Sequence, residues 1–241
     1  MEQIIFRNDE GDRTVDLYSD DGRALVADLW MKLSMEYKRM YEPTWFGVPI
    51  IQLPEDIVQL QELIWRLRPD RIIETGIAHG GSLIFGASLL KAIGADGRIL
   101  GIDIDIRSHN RTRLDDHPLR PFIELYEGDS RGPDAIDVAT KFAAGAECVL
   151  VILDSGHSTA HVTAELELYS KLVTPGSYLV AMDGAQADAW DIPRGELSWR
   201  DDNPLIAIRA FLKNHDEFEV DPNFTRMDIT SSPEGYLRRR V

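Results

Sequence analysis

The chain predicts an open α/β sheet that is Rossmann-like, doubly wound and mostly parallel. A C-terminal antiparallel strand pair and an N-terminal helical extension are expected to accompany it. Three observations predict this class. Short apolar runs alternate with helical stretches five times in succession. The stretch Arg71 to Asp105, RIIETGIAHGGSLIFGASLLKAIGADGRILGIDID, reads as strand, glycine turn, helix, turn and strand. Acids stand at or just past each core strand end, namely Glu74, Asp103, Asp129, Asp154 and Asp183.

Taken in order, residues 1 to 22 are polar and acidic, and read as a small β-hairpin or a disordered lead. Arg23 to Tyr41 is predicted helical from the recurrence of Leu25, Trp30, Leu33 and Tyr37, with its methionines as packing residues. Trp45 to Ile50 is an apolar loop, suited to cover a site or to pack on another subunit. Pro54-Glu55-Asp56 opens a helix with proline and acids in its first turn, and that helix ends before Pro69. Residues 1–53 are therefore expected to form an extension and residues 54–241 the sheet domain.

Within the domain, Arg71–Glu74 is a strand, Leu83–Ile93 a helix and Ile99–Asp103 a strand. Arg107 to Pro121 is a polar segment. Phe122–Tyr126 is the third strand and Asp134–Ala144 the next helix. Cys148–Leu153, CVLVIL, is a continuous apolar run, the pattern of a strand buried on both faces. Thr159–Leu172 is a helix and Tyr178–Met182 the fifth strand. Gly184 to Asn203 lacks periodicity, and its length points to a substrate lid. Pro204–Asn214 is a helix. Phe218–Val220 and Arg226–Thr230 read as the terminal strand pair, with Gly235-Tyr-Leu-Arg as one more strand or an extended tail.

The 241 residues suffice for one α/β domain with an appendage. Lys and Arg total 26 against 41 Asp and Glu, a net charge of -15. That balance opposes nucleic acid or an anionic membrane as partner. Cys148 is the only cysteine, so no intrachain disulfide forms and a reducing compartment is expected. The charged opening segment lacks a signal peptide's apolar core, and no run approaches a membrane span. A cytoplasmic protein is expected.

The glycine turn, Thr75 to Ser82, carries three glycines and an alanine in eight residues. A carboxylate just before it, Glu74, would repel a pyrophosphate but suits a ligand with a cationic amino-acid end. S-adenosyl-L-methionine has an ammonium, a sulfonium and no phosphate. Asp103 then stands where ribose hydroxyls are met. Glu74, Gly76, Ala78, Gly80, Ser82, Asp103, Asp129 and Ser130 are the cofactor-binding candidates. His79, inside the turn, reads equally as a cofactor contact or as an exposed side chain.

Asp154 and Asp183 end the strands on the far side of the switch point, facing an acceptor. Two facing carboxylates favour a hard divalent cation such as Mg²⁺, which can lower the pKa of a substrate hydroxyl. His157 follows Asp154 at a helix start and is the candidate base, with Asp154 beside it. His161, on the same helix, competes for that role. Trp190 and Trp199 are candidates for stacking on a sugar face.

At these residues the chain resembles the cephalosporin hydroxylase family, which includes rhamnosyl and macrolide-sugar O-methyltransferases. Trp45-Phe46-Gly47, Arg68-Pro69-Asp70 with IIETGIAHGGS, GIDIDIR, GDS, LDSGHSTAHVTAELELYSKLVTPGSYLV and SSPEGYLRR carry the resemblance, from about Trp45 to Arg239. It implies S-adenosyl-L-methionine on a Rossmann-like sheet, homo-oligomers assembled through the N-terminal region, and His157 as base. It also implies Mg²⁺ held by Asp154 and by a Glu-Asp pair after the fifth strand. Here that pair is Met182-Asp183, and a thioether is a poor Mg²⁺ ligand. Either Gln186, Asp188 or water replaces the carboxylate, or the metal is weak or absent and His157 with Asp154 deprotonates the hydroxyl without it, less effectively. The expected function is O-methylation of a hydroxyl on a sugar or glycosylated natural product, the acceptor being a small molecule or glycan. The alternatives are a hydroxylase-type or accessory enzyme of antibiotic modification, and a non-catalytic cofactor-binding subunit.

Overall fold

The computed structural model describes residues 2–8, 11–94 and 96–241. The chain opens on a hairpin, β1 (Gln3–Asn8) and β2 (Gly11–Asp16), so the first reading of residues 1 to 22 is the correct one. Asp9 and Glu10, between the two strands, lie outside the described residues. Helix α1 (Asp20–Glu36) begins three residues before the predicted start, because the Ser19 hydroxyl accepts the Gly22 N–H and caps it. The apolar segment that follows is a miniature ladder of β3 (Thr44–Trp45) and β4 (Val48–Pro49). Helix α2 (Pro54–Leu67) starts on its proline, and Arg68 closes it in the left-handed region.

The domain then runs β5 (Arg71–Thr75), α3 (Gly81–Ile93), β6 (Arg98–Asp103), α4 (Ser108–Asp115), β7 (Ile123–Glu127), α5 (Pro133–Ala143), β8 (Val149–Leu153), α6 (Thr159–Tyr169), β9 (Tyr178–Ala181) and α7 (Pro204–Leu212). Strands β10 (Phe218–Val220) and β11 (Tyr236–Arg239) complete it. The structure adds one element and corrects one expectation. The polar stretch from Arg107 holds a helix, α4, which a single buried leucine and a buried asparagine attach to the sheet. Arg226–Thr230 is not a strand. Asp228 there takes a positive φ of 65° and pairs with Arg23, and the tail supplies β11 instead.

The seven-stranded order is β10-β11-β9-β8-β5-β6-β7. Strands β7, β6, β5, β8 and β9 are parallel, and β11 joins antiparallel to β9. The chain leaves β5 toward β6 and β7, then returns to its other side at β8. The switch point therefore lies between β5 and β8, where ligands of such sheets bind. Every residue of β8 is buried, as are Ile72 to Thr75 of β5, and helices cover both faces.

Candidate active site

Gly76 begins the turn that follows β5, with φ at +80°. A Cβ at this position would strike the Asp154 carbonyl, so the turn lies directly on the end of β8. Gly81 opens α3, and a Cβ there would strike the backbone of Pro49 and Ile50. The segment ahead of α2 thus rests on the first turn of α3. Between them Ala78 is held at φ 43°, with its carbonyl accepting from the buried Asn110 amide at 2.9 Å. Asp103 grips the same turn: its Oδ2 accepts from the N–H groups of Ile77 at 2.9 Å and Ala78 at 3.2 Å.

These elements enclose a cavity of about 450 Å³. Of the cofactor candidates, Gly76, Ala78, Ser82, Asp103, Asp129 and Ser130 line it, together with His79. Glu74 and Gly80 do not. Glu74 lies beneath the turn, 1% exposed, and accepts a hydrogen bond from the Ser82 hydroxyl. Burial pushes its carboxyl up to about 7, against the lowering effect of Ser82. Asp129 is the opposite case. It accepts from the Arg131 backbone N–H at 2.9 Å and from Arg131 Nε and Nη2 at 3.0 and 2.9 Å, which hold it down at about 2.

The far wall holds Asp154, His157 and Asp183. One ligand atom from each lies within 4.8 Å of the others. His157 Nε2 stands 3.3 Å from Asp183 Oδ2, so its closest acidic partner is Asp183 rather than the expected Asp154. Asp183 is presented from a left-handed backbone, φ 59°. Asp154 receives no side-chain hydrogen bond among the described residues. Burial, then the charges of Asp183, Glu74, Glu165 and Asp56, raise its carboxyl well above the usual carboxylate range. Met182 offers nothing to this corner. It is 3% exposed in the core and takes the Ser232 hydroxyl on its sulfur at 3.3 Å.

His161 also lines the cavity but is occupied. Its Nε2 meets Ser155 Oγ at 2.8 Å, and that hydroxyl donates to the buried Glu165 at 2.7 Å. Trp190 and Trp199 do not line the cavity. The Arg200 guanidinium stands 5.6 Å from the centre of the Trp190 ring. Asp188 lines a different cavity with Arg23 and Lys32, and Gln186 lines neither, so the suggested replacements for the missing carboxylate are not at the site. Sequence reasoning missed Gln52, Ser155 and Arg131, all in the cavity wall, and Glu165 behind it.

The chain is 33% identical to a rhamnosyl O-methyltransferase of Mycobacterium leprae (strain TN) over 200 residues, 82% of this chain and 83% of that protein. It is 29% identical to a rhamnosyl O-methyltransferase of Mycobacterium bovis (strain BCG / Pasteur 1173P2) over 220 residues, 85% and 84% of the two chains. A solved structure of CmcI with Mg and SAM superposes with a TM-score of 0.58 at 23% identity, covering 83% of this chain and 78% of that one, which shows the shared fold. A model of the Rhamnosyl O-methyltransferase/CmcI family matches residues 37–240, and the chain belongs to that family.

Proposed function

We propose that this chain transfers the methyl group of S-adenosyl-L-methionine to a hydroxyl of a sugar or glycosylated natural product. The observation that carries the reading is His157 Nε2 at 3.3 Å from Asp183, on the wall of a cavity whose other side is the glycine turn gripped by Asp103. The relatives of similar length are named for rhamnosyl O-methylation, which supports a deoxysugar acceptor. Gly76, Ala78, Ser82, Asp103, Asp129 and Ser130 hold the cofactor, and the buried Glu74 braces the turn from below.

Asp183 orients the imidazole and stabilises it once protonated. His157 takes the proton of the acceptor hydroxyl. The oxygen forms a bond to the methyl carbon, the carbon–sulfur bond breaks, and its electron pair stays on sulfur as the thioether of S-adenosylhomocysteine. Acids around the cavity favour the cationic cofactor over its neutral product sulfur. Holding both reactants in line supplies much of the rate.

A divalent cation fits the far wall. Asp154 is a crowded carboxylate with no side-chain hydrogen bond among the described residues, and Asp183 faces the same space. Asp154 and Asp183 would hold a hard ion such as Mg²⁺, and the His157 imidazole would stay available for the proton. When bound, the ion would polarise the acceptor hydroxyl.

We read residues 1–53 as an extension that covers the site and carries an assembly face. Val26, Trp30, Leu33 and Tyr37 fall on one side of α1 and its end and are 44%, 49%, 49% and 67% exposed, the spacing of a helix seam. A homo-oligomer joined there is expected, and light scattering that finds a monomer at micromolar concentration would exclude it. We place the protein in the cytoplasm, where the single thiol stays reduced. No helix among the described residues is long and apolar enough to cross a membrane.

The test is incubation with S-adenosyl-L-methionine and a rhamnose-bearing glycolipid, followed by mass analysis. A gain of one methylene per acceptor is expected. A gain of oxygen instead would favour hydroxylase-type chemistry. Cofactor binding without product from any glycoside acceptor would favour a non-catalytic subunit.

A further inference from the structure

Gln52 lies just ahead of α2 and is 4% exposed. Its side chain lines the same cavity as Asp154, His157 and Asp183, and its Oε1 is buried with no hydrogen-bond partner. A buried carbonyl oxygen without a donor is costly, so it implies a donor or a cation from outside the chain.

The neighbouring residues place Gln52. Two residues earlier, Ile50 lies against Gly81 at the start of α3. One residue later, Leu53 packs with Ala185, two residues beyond Asp183. Gln52 is therefore pinned between the β5 turn and the end of β9. In the sheet order β8 lies between those two strands, and Asp154 directly follows its last residue, Leu153.

The acids Asp56, Glu74 and Asp129 and the Met182 thioether are already engaged. Asp56 accepts from Thr230 Oγ1 at 2.5 Å and from Ser231 N and Oγ at 2.8 Å. Glu74 is taken by Ser82, Asp129 by Arg131, and the Met182 sulfur by Ser232. Gln52 Oε1 is free.

We propose that the Gln52 carboxamide oxygen is a ligand of the divalent cation held by Asp154 and Asp183, supplied from the N-terminal extension. The proposal rests on the metal reading given above. Amide carbonyls are ordinary ligands of hard cations. A neutral oxygen adds a ligand without adding charge to a corner where Asp183, Glu74, Glu165 and Asp56 already press on Asp154.

The test is Mn²⁺ binding followed by paramagnetic resonance, with S-adenosylhomocysteine binding measured by calorimetry on the same samples. Gln52→Leu should weaken Mn²⁺ binding about tenfold or more and leave S-adenosylhomocysteine affinity within about twofold. Gln52→Glu, which adds a charged oxygen at the same reach, should restore or tighten Mn²⁺ binding. Should the leucine variant not fold, Gln52→Asn withdraws the amide by one methylene and should also lose Mn²⁺ affinity. Unchanged Mn²⁺ affinity in a variant that melts like wild type overturns the proposal. So does loss of S-adenosylhomocysteine affinity alone, which would assign the amide to the cofactor. If wild type itself binds no Mn²⁺, the metal reading fails first, a result distinct from either.

Discussion

Asp129 and Asp154 follow parallel strands of one sheet, yet they are opposite kinds of acid. Asp129 receives its hydrogen bonds from Arg131, remains partly open to solvent and is held at about 2. Asp154 has no such donor among the described residues, and other carboxylates surround it. The contrast extends to whole sides of the cavity. On the β6–β7 side the acids are satisfied by the protein: Asp103 by turn N–H groups, Asp129 by a guanidinium. On the β8–β9 side Asp154 has no side-chain partner among the described residues, and Asp183 meets only the His157 imidazole. A satisfied acid is a fixed acceptor, suited to holding hydroxyls in place. An unsatisfied pair beside a histidine is suited to cations and protons.

If the two sides divide labour in this way, substitutions should separate affinity from turnover. The largest effect is expected at His157. His157→Ala should lower kcat by about 10²- to 10⁴-fold, the usual contribution of a positioned base, with S-adenosylhomocysteine affinity nearly unchanged in calorimetry. Full activity in that variant would remove the base assignment. On the other side, Asp103→Ala should weaken S-adenosylhomocysteine binding by about 1.5–3 kcal/mol, because charge-assisted bonds to ribose and to the turn are both lost. Its kcat at saturating cofactor should change far less. A drop in kcat as deep as that of His157→Ala would show that the two sides do not act separately.

The smallest effect probes the boundary between them. Glu74 lies under the turn with its carboxyl raised from 4.5 to about 7. Between those values the folded chain keeps a proton that the unfolded chain has released. The stability that Glu74 contributes is therefore complete at the acid end and falls as pH rises through this window. Glu74→Gln has no proton to lose. Thermal melts at about pH 5 and about pH 8 should show wild type losing several degrees relative to the variant on going to the higher pH. Equal pH slopes for the two proteins would mean that Glu74 is not held protonated by its surroundings.

The sheet was legible because its signals are local. CVLVIL can be buried only on both faces, and the glycine turn places a ligand at the first strand end. Helix α4 was not legible: SHNRTRLD contains one leucine and no apolar period, and it is attached through Leu114 and Asn110. The alternation in Arg226–Thr230 imitated a strand, and nothing local marked Asp228 as left-handed. At the site, the acids at strand ends were readable from position alone. The pairing of His157 with Asp183, the capture of His161 by Ser155, and the inward turn of Met182 depend on how distant segments cross. Gln52 shows the same limit. Its neighbours in sequence are an apolar loop and a helix start, and only the fold brings it to the cavity that Asp154 also lines.

The Pro49–Gln52 segment resting on Gly81 also bears on modularity. Residues 54–241 contain every strand of the seven-stranded sheet and every acid at its strand ends. Yet Met40, Tyr41, Pro49, Ile51 and Gln52, which close part of the cavity, all precede Pro54. A chimera that grafts the sheet domain onto a foreign leader would inherit the reactive groups without their roof. A swap intended to change acceptor preference should therefore move the whole stretch from Met40 onward.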